Sequence, residues 1–220
     1  MPDIVMFGTG AMAQVVAVYL AAHSDLRVVG HAVDAAFRTG DNHNGLPLVD
    51  WEDLERHFPP EQVQLFGPMT YKRMNTVRRD RYCEGLARGY GFASFIHPAV
   101  HNYATAIGDN CLILENNVIQ PFVTIGSNVI IWSGNHIGHH TVVGDHVFIA
   151  SQVGIGGNAV IGDECYLAGQ VGIPHGITLG RACAVLNAAY VIRDLPDGAV
   201  IAGPSGEVRP YDSRRLHKLI

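Results

Sequence analysis

The sequence predicts a small α/β unit followed by a β-solenoid. Two observations carry this. Over the first 95 or so residues, short apolar runs of strand character alternate with helix-forming stretches. From Ile107 onward an Ile, Leu or Val returns at every sixth residue, which fits neither a 3.6-residue helix nor a two-residue strand alternation. The chain has 220 residues, 48% apolar and 16% charged, so both units can bury a core. Its formal charge of -5 argues against nucleic acid as the main partner, because phosphate binding needs a basic surface. No 18-residue apolar run marks a membrane span, and MPDIVMFGTG lacks the basic start and cleavage site of a signal peptide. Cys83, Cys111, Cys165 and Cys183 show no paired metal spacing, and reduced thiols in the cytoplasm are the expectation.

In chain order, Ile4 to Phe7 reads as a strand broken by Gly8-Thr9-Gly10, and Ala11 to Ala22 as a helix. Leu26 to Val33 is a second strand ending at Asp34, and Thr39 to Gly45 a polar loop. Trp51 to His57 reads as a helix with Asp50 as N-cap, and Val63 to Phe66 as a third strand. Lys72 to Arg88 predicts a long helix, and Phe92 to Ile96 a further strand. The alternation predicts a small parallel sheet. Six of the fifteen basic residues fall between Lys72 and Arg88, and a solvated helix face explains them better than attraction of an anionic substrate.

The periodic column runs from Ile107 through Ile137, Ile155 and Ile173 to Val191 without an insertion. Gly follows many of its members, as at Gly108, Gly126, Gly138, Gly144 and Gly162. The fourth residue after each is often small or β-branched, such as Cys111, Val129, Thr141 and Ala159. One flat side and one turn per hexad make a solenoid. This pattern resembles the hexapeptide-repeat left-handed β-helix, in which three hexads make one triangular coil. The resemblance implies residues eighteen apart stacked on adjacent coils, about 4.8 Å from one another. Cys165 and Cys183 then stack, and filling of a tight core explains them better than a disulfide. The expected division is 1–96 for a Rossmann-like α/β domain and 97–220 for the left-handed β-helix with its C-terminal tail.

The densest polar stretch is Asn135-His136-Ile137-Gly138-His139-His140-Thr141. Acyl transfer from a thioester needs a base for the nucleophile's proton and donors for the oxyanion. Histidine suits the first role near neutral pH. Eighteen residues after His139 stands Gly157, whose bare backbone lets a carbonyl oxygen approach its N–H. The pair resembles the motif of bacterial nucleotide-aminosugar N-acetyltransferases and sialic acid O-acetyltransferase-like proteins. That motif is a His followed by Glu or Asp, and a Gly one coil later whose amide binds the acetyl carbonyl. The matching residues are His139, His140 and Gly157, with His140 standing where the family has an acid. Asn135 and His136 are candidates for the same cleft.

The resemblance further implies acetyl-CoA as co-substrate, its arm lying along the coils between neighbouring subunits. Gly157, Gly172, His175, Asn187, Ala188 and Arg193 match that path. The family's closing segment is altered here to Gly203-Pro204-Ser205-Gly206-Glu207 and lacks its lysine. The thirty-six-residue spacing from His139 to His175 also resembles that of two zinc-binding His residues in the γ-class carbonic anhydrases. Their third zinc-binding His would stand at position 180, and both Gly180 and Gly144 leave that set incomplete, so no metal is expected.

Gly8-Thr9-Gly10-Ala11-Met12-Ala13 matches G-x-G-x-x-A between a strand and a helix, a turn that brings N–H groups toward a phosphate. The unit is too short for a complete dinucleotide-binding sheet, so a dehydrogenase is not expected. In the aminosugar N-acetyltransferases a similar truncated domain binds the nucleotide-linked sugar. There Gly8, Gly10 and Ala11 would approach the diphosphate and Asp34 the base or ribose. Met12 replaces a His that several members carry near the sugar. The resemblance thus implies a homotrimer that N-acetylates a nucleotide-linked amino sugar for surface-glycan synthesis. O-acetylation of a sugar, or a non-catalytic binding solenoid, are the alternatives.

Overall fold

The computed structural model describes residues 3–67 and 70–205. Gly206 and Glu207 of the altered closing segment lie outside the described residues. The first unit begins with β1 (Asp3–Phe7), α1 (Ala11–His23) and β2 (Arg27–Val33). It continues through β3 (Asn42–His43), β4 (Leu46–Asp50), α2 (Leu54–His57), β5 (Gln64–Phe66) and α3 (Thr76–Ala87). The sheet order is β3-β4-β2-β1-β5. All neighbours are parallel except β3 with β4. The polar loop expected over 39–45 therefore contains half of a short hairpin. Trp51–Asp53 is a 3-10 turn ahead of α2, and the Asp50 side chain does not cap it. Its Oδ2 instead accepts from Arg38 at 2.9 Å.

The second unit is a triangular prism of two-residue parallel strands. Face 1 runs from Phe95–Ile96 through Leu112–Ile113, Ile130–Ile131, Phe148–Ile149 and Tyr166–Leu167 to Ala184–Val185 and Val200–Ile201. Face 2 holds His101–Asn102, Val118–Ile119, His136–Ile137, Gly154–Ile155 and Gly172–Ile173. Face 3 holds Ala106–Ile107, Thr124–Ile125, Val142–Val143, Val160–Ile161 and Thr178–Leu179. Pairings such as Val118↔His136↔Gly154↔Gly172 keep an eighteen-residue register. Parallel sheets with this repeat fit a left-handed β-helix. The solenoid starts at Phe95–Ile96, which pairs with Leu112–Ile113, while Phe92 bridges Leu65 at the sheet edge. The expected division at residue 96 thus assigned the first solenoid strand to the α/β unit.

The periodic column and the fourth-position residues fill one interior, from Cys111 and Ile113 to Val191. Cys111, Cys165 and Cys183 are free thiols within it, and burial pushes the Cys165 thiol up to about 12. The residue three after each column member takes left-handed φ at every hexad, from Asn110 and Asn116 through His140 (φ 60) to Ala188. That local reversal makes the corners, and Asn or Gly tolerates it best.

The α/β unit sits on face 1. Ile4, Met6, Val16, Leu20 and Phe66 pack against Leu112, Leu114, Ile130 and Phe148 in one buried cluster. Each large side chain buried there contributes roughly 1.5–3 kcal/mol. α3 adds polar ties to the edge between faces 3 and 1. Arg78 is fully buried and donates to the carbonyls of Thr70, Asn128, His146 and Val147. Burial lowers its pKa to about 9, which still leaves it charged at neutral pH. Arg79 and Arg181 both reach Glu164. The basic residues of this helix are therefore docking groups in large part, not a solvated face. Among the described residues no helix is long and apolar enough to cross a membrane.

Candidate active site

His139 sits on the edge between faces 2 and 3, in the turn from Ile137 to Val142. Its backbone N–H donates to Gln120 Oε1 at 2.8 Å, and its carbonyl accepts from Asn158 N at 2.8 Å. Its ring lies directly against Gly157. A Cβ built on Gly157 would stand 2.7 Å from His139 Cε1, 2.8 Å from Nε2 and 3.1 Å from Cδ2. Only glycine leaves that space open. The Nδ1 face points the other way, 3.0 Å from His140 Nδ1. Nε2 is thus the nitrogen turned toward the next coil.

The Gly157 N–H is free for a physical reason. At several equivalent corners this N–H is taken by the side chain one coil later: Ser127 by Asp145, Asp145 by Asp163, Gly169 by Asn187. One coil after Gly157 the residue is His175, whose Nε2 meets Asn158 Nδ2 at 3.2 Å instead. Among the described residues the Gly157 N–H has no acceptor. The exposed His139 ring therefore lies over a buried glycine whose amide donor is unused.

Of the other residues expected here, His136 is exposed on face 2, and His175 is exposed with its ring 6.0 Å from that of His139. Arg193 is exposed on the same edge, between the Tyr190↔Gly172 and Leu195↔Leu179 bridges. Four of the expected residues need correction. Asn135 does not face the cleft: it is 2% exposed, its Oδ1 accepts from Val153 N at 2.7 Å, and its amide donates to the Trp132 carbonyl. It is a rung of an interior amide ladder with Asn117, whose Oδ1 holds Asn135 N at 2.9 Å. Gly172 is covered by the Tyr190 ring, and a Cβ there would meet Cδ2 at 2.6 Å. Asn187 and Ala188 lie on the edge between faces 1 and 2, where Asn187 Oδ1 holds Gly169 N at 3.1 Å and Ala188 N donates to Gly169 O at 2.9 Å.

A second feature lies in the α/β unit. Gly8, Gly10, Ala11, Met12 and Asp34 line one cavity of about 1030 Å³ at the carboxyl ends of β1 and β2. Gly8 takes φ 115, which a side chain would strain, and its carbonyl meets His31 Nδ1 at 3.1 Å. Burial holds the His31 pKa below the usual histidine value, so its ring stays neutral beside the turn. Gly10 opens α1, so the helix N-terminus faces the cavity. The opposite wall comes from Thr70 to Arg81, a stretch whose basic residues were expected to form a solvated helix face. Arg81 gives two hydrogen bonds to Asp34 Oδ1, at 2.9 and 2.7 Å. Lys72 and Arg73 also line the cavity, and among the described residues neither has an acidic partner. Arg73, Met74 and Asn75 are three successive left-handed residues, pinned where buried Asn75 donates to the carbonyls of Glu164 and Cys165.

Residues 104–139 and 140–175 match the family model of the bacterial transferase hexapeptide (six repeats). No curated protein matches the sequence. The acetyltransferase domain of PglB from Neisseria gonorrhoeae, also solved with acetyl coenzyme A, is similar over 92% of this chain and 97% of that chain, at 23% identity and TM-score 0.77. PerB from Caulobacter crescentus, solved with CoA and GDP-perosamine, is similar over 91% and 93%, at 22% identity and TM-score 0.75. WeeI from Acinetobacter baumannii is similar over 92% and 97%, at 18% identity and TM-score 0.79. At these identities the likeness shows the fold along nearly the whole chain.

Proposed function

We propose that this chain, whose residues 104–175 carry the bacterial transferase hexapeptide repeat, is an acetyl-CoA-dependent N-acetyltransferase. Its acceptor is an amino sugar linked to a nucleotide, in the synthesis of surface glycans. The observation that carries the reading is the His139 ring against Gly157, with the Gly157 N–H unused. The similar folds of PglB, solved with acetyl coenzyme A, and PerB, solved with CoA and GDP-perosamine, support it.

The acceptor amine attacks the thioester carbonyl carbon. Its proton passes to His139 Nε2 as the C–N bond forms, and the Gly157 N–H donates to the oxyanion. The C–S bond then breaks, and the thiolate leaves as thiol with the proton from His139. The coenzyme arm runs along the edge between faces 2 and 3, past exposed His175 and Arg193. The parallel strands β4-β2-β1-β5 follow the 3-2-1-4 order of doubly wound nucleotide folds, which supports a Rossmann-like reading of the cavity. Gly8, Gly10 and Ala11 with the α1 N-terminus take the diphosphate, and Asp34 takes the ribose or base through its second oxygen.

The α/β unit covers face 1, and His139 stands on the opposite edge of the prism. A cavity and a base from the same chain are thus on opposite sides, which favours a homotrimer in which the edge of one chain meets the cavity of the next. The test is thiol release from acetyl-CoA with UDP-, GDP- and dTDP-linked amino sugars. His139→Asn should lower kcat by about 10²–10⁴-fold while coenzyme binding persists. Unchanged turnover removes His139 from the mechanism. Turnover only with hydroxyl acceptors shifts the reading to O-acetylation.

A further inference from the structure

We infer that His140 is the positioning residue for His139, and that it works as a neutral hydrogen-bond acceptor where a carboxylate would be an anion. The inference rests on the acetyl-transfer reading above. The two Nδ1 atoms are 3.0 Å apart and the rings stand at 88°. Two imidazole nitrogens facing one another at that distance have room for a single proton between them. A base must have an empty nitrogen, and the one turned toward Gly157 is Nε2. Neutral His139 therefore carries its proton on Nδ1 and donates it to His140 Nδ1. His140 in turn carries its own proton on Nε2. One contact fixes both tautomers.

The surroundings hold His140 in that role. Its ring packs on Phe122, one coil earlier at the same corner, with centroids 4.6 Å apart and planes at 33°. Its backbone N–H donates to the Pro121 carbonyl at 3.2 Å. Around His139 stand His175, with its ring centroid 6.0 Å away, and Gln120, whose neutral amide oxygen accepts from the His139 backbone N–H. Among the described residues no carboxylate pairs with either ring. During transfer the amine proton goes to His139 Nε2, while the Nδ1 proton stays in its bond to His140. The charge of the resulting imidazolium is met by the oxyanion across the corner, not by a side-chain anion. When the C–S bond breaks, the proton leaves on the sulfur and the pair returns to its starting tautomers.

The experiment reads tautomers and kinetics together. In protein labelled with ¹⁵N-histidine, the imidazole signals that disappear in His139→Asn and His140→Asn assign the pair. The expected pattern is Nδ1–H for His139 and Nε2–H for His140, and the reverse pattern overturns the inference. His140→Gly keeps the left-handed corner without strain but removes the acceptor. It should lower kcat about 10–100-fold, leave the KM for acetyl-CoA in place and erase the Nδ1–H preference of His139. His140→Asn suits the same backbone and offers an amide oxygen, so it should recover most of that loss. Wild-type kcat in His140→Gly overturns the positioning role. A wild-type protein silent toward every acceptor sinks the acetyl-transfer reading instead, and the tautomer pattern still decides the contact on its own.

Discussion

A methyl group on Gly157 would stand within 3.1 Å of three atoms of the His139 ring. The ring is exposed and can swing away, so Gly157→Ala should keep the fold while displacing the imidazole and crowding the unused N–H beside it. We expect kcat to fall by about 10–100-fold with an unchanged melting temperature, read by thiol release and circular dichroism. Asn135→Ala should do the reverse. It strips the acceptor from Val153 N–H and the donor from the Trp132 carbonyl inside the prism. The cost is about 1–3 kcal/mol in a urea melt, with turnover per folded molecule unchanged. The contrast shows what the sequence made legible. The eighteen-residue step alone brings position 139 beside position 157. The same six-residue register also places Asn117 and Asn135 in the inward fourth position, four after Ile113 and Ile131. That signal was available, but a dense polar stretch drew Asn135 toward the site.

The elements of the first unit were legible where period and breakers agree, as at β1, α1 and β2. α3 was not. Helical pattern extends back to Lys72, but the helix starts at Thr76 because Arg73, Met74 and Asn75 are left-handed. Nothing local in Lys72-Arg73-Met74-Asn75 requires that turn. It is held by carbonyls of the solenoid at Glu164 and Cys165, ninety residues away in sequence. Arg78 likewise looks like a surface cation until the carbonyls of 128, 146 and 147 close around it. The turn has a use, since it sets Lys72 and Arg73 on the cavity wall opposite the α1 N-terminus. Two cations without acidic partners facing a helix N-terminus suit a diphosphate. Joint replacement, Lys72→Ala with Arg73→Ala, should raise KM for a nucleotide-linked acceptor by roughly tenfold at low salt and less at high salt. The KM for acetyl-CoA should not move. An equal rise for both substrates, or none for the acceptor, would place the diphosphate elsewhere.

At the scale of the molecule, among the described residues the α/β unit covers one face of the prism and leaves the other two open. Leu112, Leu114, Ile130 and Phe148 are buried under the α/β unit on face 1, whereas Val142 and Val160 on face 3 and Phe122 beside His140 remain exposed. A prism with two open faces, one of them carrying exposed valines, suits cyclic association in which each His139 edge meets a neighbour. If catalysis takes its base from one chain and its nucleotide cavity from another, two impaired chains should rescue each other. Co-expression of His139→Asn with the Lys72→Ala, Arg73→Ala double variant, under separate tags, gives mixed oligomers. In such an oligomer a working site needs an intact edge from one kind of chain and an intact cavity from the other. Random assembly at equal amounts makes about a quarter of the sites whole, so activity should return to about a quarter of wild type. Each variant alone should stay below that level at subsaturating acceptor. A mixture no more active than the mean of its two parents would mean that every chain completes its own site, and the opposite placement of His139 and the cavity would then have to be bridged within one molecule.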